Sequence, residues 1–418
     1  MGFLFPLMRN FFHKYGLSFL MVASYFGSGS IFIASQAGVE YGYVLIWAVV
    51  GAVLLGFMAQ DMSGRLGIFG DNLMAFIRRK LGRRGAFGLA LFLSVGCIAW
   101  TLALTAAVGK SVEILSGGAV PWQPIAVVAG VLAIIVGVLK YRHVEKIVTV
   151  MMFALLVLYV LVAGVSSPSP VDVAAGFIPS LPDGGAMVLG AAILGTTALW
   201  PNFFLESILV KRKGWTGEEH LWPMRRDLSL GYTVGGIITV AIIIVAAAVL
   251  RPAGYTELAS FVAPGEALAQ VLGDWAMIVF LLGVIAAAFN SIIPIMWTVP
   301  FMILEAVDHD QKEETDPLFR LIYAGGILLG MFSPLVSKVT GMSVVEMVTM
   351  FPAYNGVFGL PVTAAFLFWA VNDRETMGER VNTLKLNLAN VVLVVFATYI
   401  AINSAQGVLE AIFGGIFS

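Results

Sequence analysis

Charge is what this chain has little of. Of 418 residues only 12% are Asp, Glu, Lys or Arg, and there are one cysteine and four histidines. So little charge excludes a water-soluble globular domain, which carries about twice that fraction. The single cysteine, Cys97, excludes an intrachain disulfide framework; inside an apolar segment it is expected to pack rather than react. His13, His143, His220 and His309 are scattered over polar segments with no HExxH-type pairing, and no nucleophile and base fall together, so the chain is expected to be no enzyme and to hold no cofactor. A net charge of −1 removes the electrostatic basis for nucleic-acid binding. The one strongly basic cluster, RRKLGRR, abuts an apolar segment and is expected to anchor lipid headgroups.

What is there is apolar. Hydrophobic residues make up 59% of the chain, mean hydropathy is +0.93, and runs of about 20 apolar residues, the length that crosses a bilayer, recur throughout. Eleven spans are predicted, beginning near Gly16, Tyr43, Gly85, Gln123, His143, Ala186, Leu228, Asp274, Leu318, Ser343 and Leu386, in a single integral membrane domain, 1–418. The first is too long for a signal peptide and lacks a cleavage site, so it is expected to remain as a span. With the amino terminus inside, all of the 24 Lys and Arg except Lys110, Arg251 and Lys338 fall on the inner side. That asymmetry predicts a multi-pass protein of the plasma (inner) membrane with a cytoplasmic amino terminus and an external carboxy terminus.

Two stretches break the apolar pattern: SYFGSGSIF, Ser24 to Phe32, in the first span, and TTALWPN, Thr196 to Asn202, in the sixth. Five spans separate them. That is the signature of a five-plus-five inverted repeat whose first helices are discontinuous and hold the cargo at the membrane midplane. Repeat one is expected over about 16–165, repeat two over about 186–371, and an extra helix over about 386–416. Pro201 has no N–H to offer the Thr197 carbonyl. Gly27 and Gly29 let the first helix break, with the second half beginning after Gly29, and Ser28 and Ser30 add hydroxyls. Read structurally, the same glycines and serines serve close helix crossings and the proline a kink.

GTTALWPNFFLESILV, Gly195 to Val210, resembles the sixth-helix signature of the natural resistance-associated macrophage protein (NRAMP) family of divalent metal transporters, through Gly195, Thr196, Thr197, Asn202, Leu205, Ser207, Leu209 and Val210. AQDMSGRLGI, with Gln60, Arg65, Leu66 and Gly67, is similar to the family's second helix. The resemblance implies an all-α membrane fold of the LeuT/APC type, a 5+5 inverted repeat with discontinuous helices 1 and 6, working as a secondary transporter by alternating access. It also exposes a divergence. Gly27 and Ser30 stand where the family carries its Asp and Asn ligands and Leu199 where it carries a Met; Thr101, Leu104 and Gly359 replace further polar family positions, and Glu206 replaces a His. Without a sulfur or carboxylate ligand the site suits a hard cation that keeps its water.

The expected substrate site is therefore Gly27, Ser28, Gly29, Ser30, Thr196, Thr197, Leu199 and Asn202, holding a hydrated divalent cation of the Mg²⁺/Mn²⁺ type; these are also the candidate metal positions. Glu206, Asn290 and Asn355 are candidates for coupling or for the pathway, with pairing of Glu206 to Lys211 or Arg212 as the structural alternative. FGSGSIF also resembles the GSGIF of the amino acid, polyamine and organocation superfamily, which implies the alternative of a small organic solute such as an amino or sulfonic acid, bound by the backbone of the broken first helix. Asp61 and Arg65, four apart, are expected to form a salt bridge. The partners expected are the transported solute or ion and the lipid bilayer.

Overall fold

A computed structural model describes residues 17–139, 141–256, 258, 263–309 and 315–417. Gly16, Arg9, His13, Lys14, Lys140 and Lys312 of the expectations above lie outside them, as does the side chain of Asn355. Among the described residues all regular structure is helical. Six helices are long and apolar enough to cross a membrane. A bent pair, α1 (Leu17–Tyr25) and α2 (Ser28–Tyr41), meeting at 63°, makes a seventh crossing, and four shorter apolar helices, Trp122–Gly137, Thr149–Val165, Val357–Asn372 and Leu384–Tyr399, occupy places where the remaining spans are expected.

In order, α3 (Ile46–Phe69) and α4 (Leu73–Leu115) are followed by α5 (Trp122–Gly137), α6 (Tyr141–Val165) and the short α7 (Pro170–Ala175). The second broken span is α8 (Gly184–Thr197) with α9 (Pro201–Arg212). Then come α10 (Leu221–Val245), α11 (Ala263–Leu272), α12 (Asp274–Ala306), α13 (Pro317–Gly330), α14 (Ser333–Thr340), α15 (Val344–Tyr354), α16 (Leu360–Asn372), α17 (Arg374–Met377) and α18 (Leu384–Phe417).

The core is built around the broken spans. α3 packs on α9 and α10, α10 on α2, and α12 along α4. The α3–α9 contact accounts for part of the SGRLG motif: a Cβ on Gly67 would sit 2.4 Å from the Ser207 carbonyl oxygen, so only glycine lets the two backbones close. Ser63 of α3 donates to the Phe203 carbonyl at 2.6 Å across the same seam.

One end of the bundle is held by ion pairs. Asp61 accepts from Arg65 at 3.1 Å, as expected, and from Arg225 of α10 at 2.6 Å. The RRKLGRR cluster corrects an expectation. Gly82, at φ 73°, kinks α4 beside it, and three of its cations turn back into the protein: Arg78 to Glu305 and Asp308, Arg79 to Asp71, and Lys80 to Asp373 and Glu375. Arg83 and Arg84 are exposed and remain for headgroups. Glu346 forms a capping box with Ser343 at the start of α15.

Candidate functional site

The first break lies at Phe26 and Gly27 rather than after Gly29; α2 already begins at Ser28, and Gly29 and Ser30 sit within it. The physical reason is close approach. A Cβ on Gly27 would lie 3.1 Å from both Leu104 Cδ2 and Ser291 Oγ, so the chain passes there because it carries no side chain. Carbonyls freed by the break are answered from several directions, as buried backbone groups require. Tyr25 O accepts from the Ser30 hydroxyl at 2.8 Å and from Gly27 N at 3.0 Å. Ala23 O lies 2.6 Å from Ser291 Oγ, which projects from α12. Asn202 of α9 donates its Nδ2 to Met21 O at 2.9 Å, tying the second broken span to the first.

The second break, Ala198 to Trp200, falls where the proline places it. Ala198 leaves helical geometry at ψ 67°, Pro201 brings no N–H to the Thr197 carbonyl, and the Asn202 N–H turns to Leu199 O at 3.1 Å. The hydroxyls of Thr196 and Thr197, expected at the site, donate to the backbone of their own helix, at Ile193 O over 3.0 and 2.8 Å, which fixes their orientation and leaves the oxygen lone pairs. Ser30 is likewise committed to Tyr25. Leu199 is buried and contributes only bulk.

What remains is a small set of oxygen acceptors. Asn202 Oδ1 and Ser28 Oγ are buried and have no hydrogen-bond partner among the described residues, and with the Thr197 carbonyl they are neutral, hard donors. Among the described residues no group of three or more His, Cys, Asp or Glu could hold a metal.

Glu206 lies four residues after Asn202 on α9, fully buried, with neither carboxylate oxygen hydrogen-bonded among the described residues. The structural alternative for it is not realised: Lys211 pairs with Asp71 at 3.3 Å, and the Arg212 guanidinium sits 4.7 Å over the Phe301 ring. The charges whose fields reach Glu206 are Asp227, Lys213 and Asp61. Asn290 is buried in α12 with both amide atoms unpartnered among the described residues; its neighbour Ser291, not Asn290, makes the contact with α1.

Two connections escaped the sequence. Asp227 accepts from both the Ser18 N–H and the Ser18 hydroxyl at 3.0 Å, and Ser291 reaches Ala23. The partners are 209 and 268 residues apart. The only available signal for the first was an acid one residue before an expected span; α10 in fact starts at Leu221 and buries Asp227 completely.

Comparison with known proteins places this geometry. Residues 18–406 match the family described as natural resistance-associated macrophage protein-like. A curated divalent metal cation transporter, MntH of Erwinia tasmaniensis, is 29% identical over 289 residues, 66% of this chain and 68% of that protein. The crystal structure of the Eremococcus coleocola manganese transporter, in complex with an aromatic bis-isothiourea substituted compound, superposes with a TM-score of 0.81 at 20% identity, covering 98% of this chain and 89% of that one. MhsT in complex with L-phenylalanine gives a TM-score of 0.57 at 12% identity, covering 95% and 98%. These structural likenesses carry the fold: an all-α LeuT-type transporter architecture.

Proposed function

The chain belongs to the natural resistance-associated macrophage protein-like family, and from that premise we propose that it is a multi-pass membrane transporter moving a divalent metal cation by alternating access. The cargo is a cation that keeps part of its water, of the Mg²⁺/Mn²⁺ type. One observation carries the choice: at the two breaks Ser24 Oγ, Ser28 Oγ and Asn202 Oδ1 are buried without a hydrogen-bond partner among the described residues, and Pro201 takes the helical donor from the Thr197 carbonyl, all of them neutral oxygens without sulfur. Such donors satisfy a hard ion but give little advantage to a softer one. The organic-solute alternative is not favoured, since curated relatives such as MntH are named as divalent metal cation transporters.

The open acceptors at the breaks are neutral, and a divalent charge at the midplane requires compensation. Glu206, one helical turn beyond Asn202 on α9, supplies it as the cation leaves or exchanges a proton with it. The end carrying Arg65, Arg78, Lys80 and Arg225 is the cytoplasmic face by the positive-inside bias, so α1 starts inside and α18 runs outward. The two repeats correspond to about 16–165 and 186–371, each opening with its broken span.

Purified protein in liposomes loaded with a divalent-cation indicator tests the reading. Mg²⁺ influx is expected, with Mn²⁺ favoured by no more than about tenfold, and Glu206→Gln should slow both and flatten the dependence on pH. Mn²⁺ uptake with no Mg²⁺ response, or uptake of a zwitterionic amino acid with no cation flux, would overturn the proposal.

A further inference from the structure

The wall of the second break is an indole. Trp200, the last residue before Pro201, is 1% exposed and meets Phe204 edge-on with ring centroids 6.1 Å apart. It also abuts Gly359, in a single π-helical turn, Asn355–Gly359, that joins α15 to α16. A Cβ on Gly359 would lie 2.2 Å from Trp200 Nε1, 2.5 Å from Cδ1 and 2.7 Å from Cε2. Real Cβ atoms never come so close, and the crowded atoms belong to a rigid ring that is itself buried. The glycine is a seat for the indole. π-turns inside α-helices recur at functional sites because they re-aim one residue out of helical register, and this one ends on Gly359.

We infer that Trp200, seated on Gly359, determines cation selectivity by filling the place from which a side chain at position 359 would reach the site. This rests on the reading that a cation passes the break. While the indole occupies that place no side chain from position 359 can reach inward. The indole itself offers an N–H that only donates and no in-plane lone pair, so it cannot replace a water on a cation. Across the site, Leu104 stands equally apolar beside Gly27. An ion at the breaks then finds the open oxygens of α2, α8 and α9 and retains water toward Trp200 and Leu104. A strongly hydrated ion tolerates that arrangement; a softer ion gains nothing from it.

A cycle of variants in the intact protein, read by melting temperature in detergent and by flux ratio in liposomes, tests this. Gly359→Ala should lower the melting temperature and abolish flux, and Trp200→Phe/Gly359→Ala should recover both, because the smaller ring makes room for the methyl. Trp200→Ala/Gly359→Gln, which puts an amide oxygen where the indole stood, should raise the Mn²⁺-to-Mg²⁺ flux ratio at least several-fold over the native protein. Wild-type stability and flux in Gly359→Ala, failure of the phenylalanine to rescue, or an unchanged flux ratio in a folded Trp200→Ala/Gly359→Gln protein would each overturn the inference. A native protein that carries no divalent cation would instead sink the transport reading, while the melting cycle still reports whether residues 200 and 359 share one space.

Discussion

The two broken spans solve the same problem in opposite ways. At the first, glycine and serine make a sharp bend of 63°, and the carbonyls at Ala23 and Tyr25 are answered by Ser291, Ser30 and the chain itself. At the second, proline interrupts a span that otherwise runs from Gly184 to Arg212; the threonine hydroxyls bind their own helix and the Thr197 carbonyl is left without its helical donor. One break is sealed and the other is open. Depth in the membrane permits an open carbonyl only where it lines a cavity or is buried against protein, so the proposed site draws chiefly on the α8–α9 side, with the first break adding Ser28.

Asn202 joins the two, and removing it should have the largest effect on the contrast. Its Nδ2 holds Met21 O while its Oδ1 stays open. Asn202→Ala deletes a buried bond and a proposed ligand together, for a stability loss of about 1–3 kcal/mol and complete loss of flux. Asn202→Asp separates the roles: the ligand oxygen survives but the donor to Met21 does not. If both variants carry cation at the native rate, the breaks are not joined functionally through this residue.

Pro201→Ala attacks the open break directly. Alanine supplies the missing N–H to Thr197 and favours the helix. Flux should fall several-fold while the melting temperature holds or rises, the reverse of ordinary core damage. A variant that loses stability and flux in parallel would mean that the proline matters for folding rather than for keeping an acceptor open.

Much of this contrast was legible beforehand, because its causes are local. Pro201 forbids one hydrogen bond wherever it sits, so the second break fell where the sequence put it. The Asp61–Arg65 pair is likewise a matter of four-residue spacing on one helix, and the sixth-helix signature carried the family. What failed depended on neighbours far along the chain. The first break moved to Phe26 and Gly27 because Leu104 and Ser291 crowd that residue, and nothing near Gly29 encodes that pressure. Ser30, Thr196 and Thr197 pose a local difficulty instead: each hydroxyl donates to a nearby carbonyl while its oxygen keeps lone pairs, and spacing alone does not reveal which hydroxyls are held in this way. The indole on Gly359 joins residues far apart in the chain, from the start and the end of the expected second repeat. Glycine there could be read as an absent ligand, but the ring that makes it obligatory could not be seen.

The smallest effects come from hydroxyls that seal the first break, and their order tests whether sealing is what they do. Ser291 Oγ lies within 2.6 Å of Ala23 O and 3.1 Å of Ala287 O. Its proton serves one carbonyl at a time, and Ala287 lies in its own helix, where the ladder provides another donor. Ala23 has no such substitute, because the Gly27 N–H that would have served it goes to Tyr25 O at 3.0 Å. Ser291→Ala therefore strands a buried carbonyl and should cost about 1–3 kcal/mol. Ser30→Ala removes one of two donors to Tyr25 O and leaves Gly27 N in place, so about 0.5–1.5 kcal/mol is expected. Denaturation in mixed micelles with both variants measured side by side gives the ranking. Ser30→Ala as damaging as Ser291→Ala would show that Gly27 N does not hold Tyr25 O by itself, and the first break would then be less securely closed than the second is open.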